Sequence, residues 1–278
     1  MSRLPADTRM GPVHLSVSDL SRSLDYWTRT IGLDVLETGE GRASLGADGR
    51  ELVGLLEEPG ARPAYGHTGL FHVALLLPER RDLARWLAHA VRDRVPLQGL
   101  SDHFVSEAIY LGDPDGHGIE LYADRPRERW EGSVTERLTT MPLDVDDLLG
   151  DLDDPSAEPF DGPAAGTTVG HVHLRVASVP DAVAFYRDAL GFDLMATYGS
   201  QAAFLAAGGY HHHVGANTWE SAGASSAPEG TARLLHATIV LPDASARDEL
   251  LGRLEVEETD AGPIVRDPSG NRLVLAAA

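Results

Sequence analysis

The chain of 278 residues is long enough for one large domain or two of ordinary size, and its 42% hydrophobic content suits a globular protein. A formal net charge of -20 repels nucleic acid and anionic membrane surfaces, so neither is expected as a partner. The absence of both cysteine and lysine excludes disulfides, thiolate nucleophiles, Schiff-base chemistry and a P-loop. No apolar run approaches the ~18 residues that span a bilayer. The opening MSRLPADTRMG lacks the apolar stretch of a secretory signal, so the expected compartment is the cytoplasm. Twelve histidines remain for chemistry, and histidine with carboxylate is the ligand set of non-haem iron, manganese or zinc.

In chain order, the first segment runs from Gly11 as GPVHLSVSDLSRSLDYWTRTIGLDVLE: an alternating strand, a polar turn, then a helix that Gly32 is placed to cap. The second starts LFHVALLLPERRDLARWLAHAV at Leu70 and closes as DPDGHGIELY, Asp113 to Tyr122, a tight turn feeding an apolar strand that carries Glu120. Residues 126–167 are acidic and rich in Pro and Gly. They read as a solvated linker with one short helix around Val145 to Leu149. The third segment, GHVHLRVASVPDAVAFYRDALGFDLM from Gly170, repeats the first, with Val183, Tyr186 and Leu190 on the helix's apolar face and Gly191 after it. Its later part holds the run His211-His212-His213, read as strand, where alternation puts 211 and 213 on one face and 212 on the other. The fourth, LLHATIVLPDASARDELLGRLEV from Leu234, ends in DPSGNRLVLA, with Val274 where the second segment has Glu120. The repeating unit is βαβββ, about 50–60 residues. The expected organisation is an α+β chain of four modules, 11–60, 66–125, 168–222 and 232–278. They fall into halves 8–125 and 168–278 around the linker 126–167.

Aligned by strand and turn, His72, His171 and His236 occupy one position in the opening strands of segments two, three and four, where segment one has Pro12. Two residues further on, His14 and His173 match each other on the same strand face. A buried carboxylate such as Glu120 needs a partner, which a metal or an arginine would supply.

Four such modules in register, with GHVHLRV, LFHVALLLP, FYRDALGF and DPDGHGIELY as their motifs, resemble the vicinal oxygen chelate superfamily of glyoxalases, bleomycin-resistance proteins and extradiol dioxygenases. The resemblance covers nearly the whole chain outside the linker. The DHFVSEAIYLGDPDGHGIELYADRP and GGYHHHVGANTW stretches are most similar to its four-module catechol 2,3-dioxygenase-like branch. This implies two pseudo-symmetric half-barrel sheets, each from two modules, with a metal held by two His and one Glu. Segment two offers His72 and Glu120. Pro12 cannot complete the set, whereas His171 can, so segments two and three are expected to pair around the metal, and one and four to form a degenerate pair. The resemblance implies Fe(II) first, with Mn(II), Zn(II) or Ni(II) as alternatives, and a small aromatic substrate with O2. It further implies Tyr110 as a substrate-orienting residue and His103 as an acid–base group. His14, His173, His211, His213 and His236 are candidate pocket residues. A glyoxalase-like isomerase or lyase, and a non-catalytic binding protein for an aromatic or antibiotic, stand as alternative functions. Homo-oligomerisation is left open.

Overall fold

The computed structural model describes residues 3–278. Module one comprises β1 (Arg9–Val17), helix α1 (Leu20–Tyr26) widening into a π-type turn at Trp27–Ile31, then β2 (Asp34–Gly39), β3 (Arg42–Ala47) and β4 (Arg50–Glu57). A short strand β5 (Arg62–Pro63) leads into module two. That module has β6 (Gly69–Leu76), α2 (Arg80–Asp93), β7 (Gly99–Asp102), β8 (Ser106–Gly112) and β9 (Gly118–Asp124). The connecting segment holds α3 (Val134–Arg137), β10 (Met141–Pro142) and α4 (Val145–Leu149). Module three is β11 (Thr168–Arg175), α5 (Val179–Val183) with a π-type continuation Ala184–Leu190, β12 (Asp193–Tyr198), β13 (Ala202–Ala206) and β14 (Val214–Asn217), followed by the short β15 (Thr231–Ala232). Module four is β16 (Leu234–Leu241), α6 (Ala244–Leu251), β17 (Glu257–Thr259), β18 (Gly262–Arg266) and β19 (Arg272–Ala277).

The first helix of each odd module starts at a side-chain cap, Asp19 or Ser178, and its π-type continuation ends at a left-handed glycine, Gly32 at φ 95° or Gly191 at φ 97°. The two large sheets do not follow chain order. One has eight strands, β17-β18-β19-β16-β1-β4-β3-β2, and joins modules four and one. The other has nine, β10-β7-β8-β9-β6-β11-β14-β13-β12, and joins modules two and three. The antiparallel seams are β1 with β16 and β6 with β11.

Alternation assigns the faces. Val172 and Leu174 of β11, Val73 and Leu75 of β6, and Ile119 and Leu121 of β9 are buried in one continuous apolar core shared with the helices and the other sheet. The intervening residues face the concave side. Two register shifts on the β6–β11 seam adjust this pattern, one between Val169 and His171 and one between His173 and Leu174. At the second, β6 contributes an extra residue opposite β11, and the consecutive Phe71 and His72 both line the cavity on the concave side.

The 126–167 segment is not a solvated tether. Trp130, Val134, Leu148 and Leu152 are buried, β10 extends the nine-stranded sheet beside β7, and α4 packs on α2. Acid–arginine pairs fasten it: Arg80 to Asp147 and Asp151, and Arg85 to Glu158. The sequence signal for this packing was the apolar spacing of Leu148 and Leu152, outweighed in composition by the acids around them. Among the described residues no helix is long and apolar enough to cross a membrane.

Candidate active site

The concave face of the nine-stranded sheet walls a cavity of about 550 Å³. His72 on β6, Glu120 on β9 and His171 on β11 meet at its floor, all buried. β6 and β9 are parallel with Ala74 beside Glu120, which sets the carboxylate diagonally across from His72. On its other side Glu120 stands opposite Tyr110 of β8. Glu120 Oε2 lies 2.9 Å from His72 Nε2 and 3.1 Å from His171 Nε2, and the two nitrogens are 3.4 Å apart. An ion with ligands at about 2.1 Å places adjacent donors about 3.0 Å apart in octahedral and about 3.4 Å apart in tetrahedral geometry, so this donor set fits a single divalent metal.

The protonation states agree. Burial opposes the charge on Glu120, yet His171 and His72 hold its carboxyl well below the usual carboxylate range. Burial pushes His171 down to about 4 against the pull of Glu120. An ionised carboxylate and a neutral imidazole are the forms that bind a metal.

Beside the triad, Tyr110 on β8 places its hydroxyl 2.7 Å from His103 Nε2. His103 Nδ1 lies 2.7 Å from the Thr139 carbonyl oxygen. A carbonyl only accepts, so neutral His103 carries its proton on Nδ1 and accepts the Tyr110 proton at Nε2. The packed connecting segment thus sets the tautomer of a cavity residue. Burial, then Glu120, raises the Tyr110 phenol well above its ordinary range, so it stays protonated.

His173 is buried and lines the cavity, with its ring 5.3 Å from Phe71, 5.4 Å from Trp219 and 5.8 Å from Phe204. It lies against Gly215, where an added Cβ would approach the imidazole to 2.8 Å. Among the described residues the only arginine lining the cavity, Arg175, is ion-paired to Glu220 at 3.2 Å.

Four of the candidate pocket histidines lie outside this lining. His14 and His236 sit on the other sheet, where they pair across β1 and β16 and stack at 4.3 Å. The His211–His213 run precedes β14 and is not strand, because Gly208 and Gly209 just before it turn the chain with positive φ. Strict alternation therefore does not govern it, and it is His212 that lines the cavity, with its ring 4.0 Å from His171. His211 lies behind it and His213 accepts from the Ala207 amide. His212 was the residue that sequence reasoning passed over, and the Gly-Gly pair was the signal for it.

Comparison with known proteins agrees with this architecture. A family model described as the Glyoxalase/Bleomycin resistance protein/Dioxygenase superfamily matches residues 9–121 and 168–275. The chain is 40% identical over 283 residues to the catechol-2,3-dioxygenase of Bacillus subtilis (strain 168), covering 96% of each. Among solved structures, a putative dioxygenase from Bacillus subtilis superposes with a TM-score of 0.63 at 13% identity, covering 100% of this chain and 86% of that one. Glyoxalase I from Zea mays does so with a TM-score of 0.58 at 19% identity, covering 98% and 92%. These two likenesses speak to the fold.

Proposed function

Because the chain belongs to the glyoxalase/bleomycin resistance protein/dioxygenase superfamily, we propose that it is a metal-dependent extradiol dioxygenase, opening the ring of a catechol-type aromatic with O2. The observation that carries this reading is the buried His72–Glu120–His171 set, whose donor atoms all lie within 4.8 Å of one another at the floor of the cavity. The named relative, a catechol-2,3-dioxygenase, points to the same chemistry.

In this reading His72, His171 and Glu120 hold Fe(II). Mn(II), Zn(II) and Ni(II) are the other ions the same donors accept. When bound, such an ion acidifies catechol hydroxyls and leaves open positions for substrate and O2. The chain's own residues do the rest. Phe71, Phe204 and Trp219 supply aromatic walls for a planar ring. Tyr110, its proton held by His103, presents its oxygen to a substrate hydroxyl. His212 is held neutral by burial and then the neighbouring His171, so one ring nitrogen is bare and can accept a hydrogen bond from a catechol hydroxyl. The cavity serves a small molecule, and the acidic surface gives no footing to nucleic acid.

The test is anaerobic purification, metal quantification, then addition of Fe(II), catechol and O2 to wild type and Glu120→Ala. We expect one metal per chain and a yellow ring-opened product in wild type, both lost in the variant. A metal at 100 times its dissociation constant also stabilises the fold by about 2.7 kcal/mol, so wild type alone should melt higher when loaded. Metal without oxygen uptake on any catechol points to an isomerase. No metal under any condition points to a binding protein. An active Glu120→Ala overturns the triad.

A further inference from the structure

Asp124 ends β9, four residues past Glu120 and on the same face of the strand. Both of its oxygens are engaged. His211 Nε2 lies 2.9 Å from Oδ1, and the Tyr210 hydroxyl donates to Oδ2 at 2.9 Å. Tyr210, its proton spent on Asp124, accepts from the Tyr122 hydroxyl at 2.8 Å. The other ring nitrogen of His211, Nδ1, lies 2.8 Å from His212 Nδ1, with the His211 ring wholly buried. Two ring nitrogens at that distance share one proton between them.

Which histidine owns that proton follows from donor and acceptor identities. A carboxylate only accepts, so His211 carries a proton on Nε2. In a neutral His211 the Nδ1 is then bare, and the shared proton sits on His212 Nδ1. His212 Nε2 is left as the bare nitrogen of a ring that lines the cavity. We propose that Asp124, acting through His211, fixes the tautomer of His212 so that its bare Nε2 stands as a hydrogen-bond acceptor for a substrate hydroxyl. Asp124 and His211 are positioning residues and His212 is the group that meets the substrate. The inference rests on the dioxygenase reading only for what His212 does, not for which nitrogen bears the proton. The sense of the relay depends on Asp124 being a carboxylate. An asparagine can donate to His211 Nε2, which moves the His211 proton to Nδ1 and reverses both rings.

The experiment reads the tautomers directly. Protein labelled with 15N-histidine, metal-free and loaded with diamagnetic Zn(II), is examined by two-bond proton–nitrogen correlation, with His212 assigned by loss of its signals in His212→Gln. The expected wild-type pattern is protonated Nδ1 and bare Nε2 on His212. Asp124→Asn should move the proton to Nε2 or mix the two forms. With Fe(II) it should lower kcat by about 10²-fold at an unchanged catechol KM and metal content. Asp124→Glu should restore part of kcat. Tyr210→Phe breaks the other bond to the same carboxylate, so it should lower the melting temperature without changing the tautomer or kcat. A protonated Nε2 on wild-type His212, as a doubly protonated His211 would impose, overturns the proposal. So does an Asp124→Asn protein with the wild-type pattern and rate. If no catechol is turned over with any metal, the dioxygenase reading fails, and the spectra still decide the tautomer.

Discussion

Gly170 stands beside His171 at the register shift of β11, and replacing it by alanine tests how tightly the site is framed. A Cβ on Gly170 would overlap the Tyr122 hydroxyl and come within 2.8 Å of Tyr122 Cζ and 3.0 Å of Leu76 Cβ. Gly170 is not among the residues with positive φ, so the backbone itself accepts alanine. Tyr122 is wholly buried and its ring packs 4.9 Å from that of His171, leaving it little room to retreat. Overpacking of this kind costs about 1–3 kcal/mol. Pulling the buried hydroxyl off Tyr210 costs about 1–3 kcal/mol more. The stiffer unfolded chain returns about 0.4–1 kcal/mol, leaving a net loss of roughly 3 kcal/mol. For a chain of this size that lowers the melting temperature by about 6–12 °C. Denaturant titration should show a lower midpoint at unchanged slope. Tyr122→Phe removes the overlapped atom, so Gly170→Ala/Tyr122→Phe should be more stable than the sum of the two single changes by about 1 kcal/mol or more. A single variant within about 0.5 kcal/mol of wild type, or a strictly additive pair, would refute the steric argument.

Two further outcomes follow from particular residues. Arg80 reaches buried Glu107 as well as Asp147 and Asp151, so Arg80→Ala should cost about 1–3 kcal/mol by leaving Glu107 only Arg125, and should open the 126–167 segment to limited proteolysis. Arg187→Ala, which removes an exposed pair with Asp188, should leave the denaturation midpoint unchanged, and equal effects of the two variants would contradict the packed role of the segment. Burial, then His14 and Arg272, pushes His236 down from 6.5 to about 4, so between these values the unfolded chain binds a proton that the folded chain refuses. Stability is therefore present above pH 6.5 and is lost as pH falls toward 4, and His236→Gln should flatten that limb of a denaturant midpoint-against-pH curve. An unchanged slope would show that His236 is protonated in the folded state.

Much of this molecule was legible because it repeats. One opening strand says little, but four in register put His72, His171 and His236 at one position and expose Pro12 as the odd member. That comparison, together with the two-His, one-Glu ligand set that the family resemblance implies, is why His72, Glu120 and His171 could be grouped before any distance was known. What could not be read depends on contacts between segments remote in sequence. The extra β6 residue that sets Phe71 beside His72 exists only relative to β11. The connecting segment looks solvent-borne from its acids, because the arginines that neutralise them stand on α2. His211 and His212 exchanged roles because alternation was applied where Gly208 and Gly209 had already taken the chain out of the strand.

The structure also explains why one closing strand carries a carboxylate and its counterpart does not. Glu120 lies beside Ala74, two residues past His72, and Val274 lies beside Thr238, two residues past His236. His72 faces His173 across one seam as His236 faces His14 across the other. The two half-barrels therefore hold the same positions in the same register. On the β1–β16 side the position of His171 is Pro12, which has no side-chain donor, so a carboxylate at 274 would be buried beside one histidine and no second. Burying an unpartnered carboxylate is costly, and valine at that position costs nothing of the kind. His14 and His236 meet that loss by stacking on each other, with Glu51 3.7 Å from His14. Glu120 remains where two imidazoles converge on one of its oxygens, and of the two equivalent closing-strand positions it is the one whose neighbours can hold a buried negative charge.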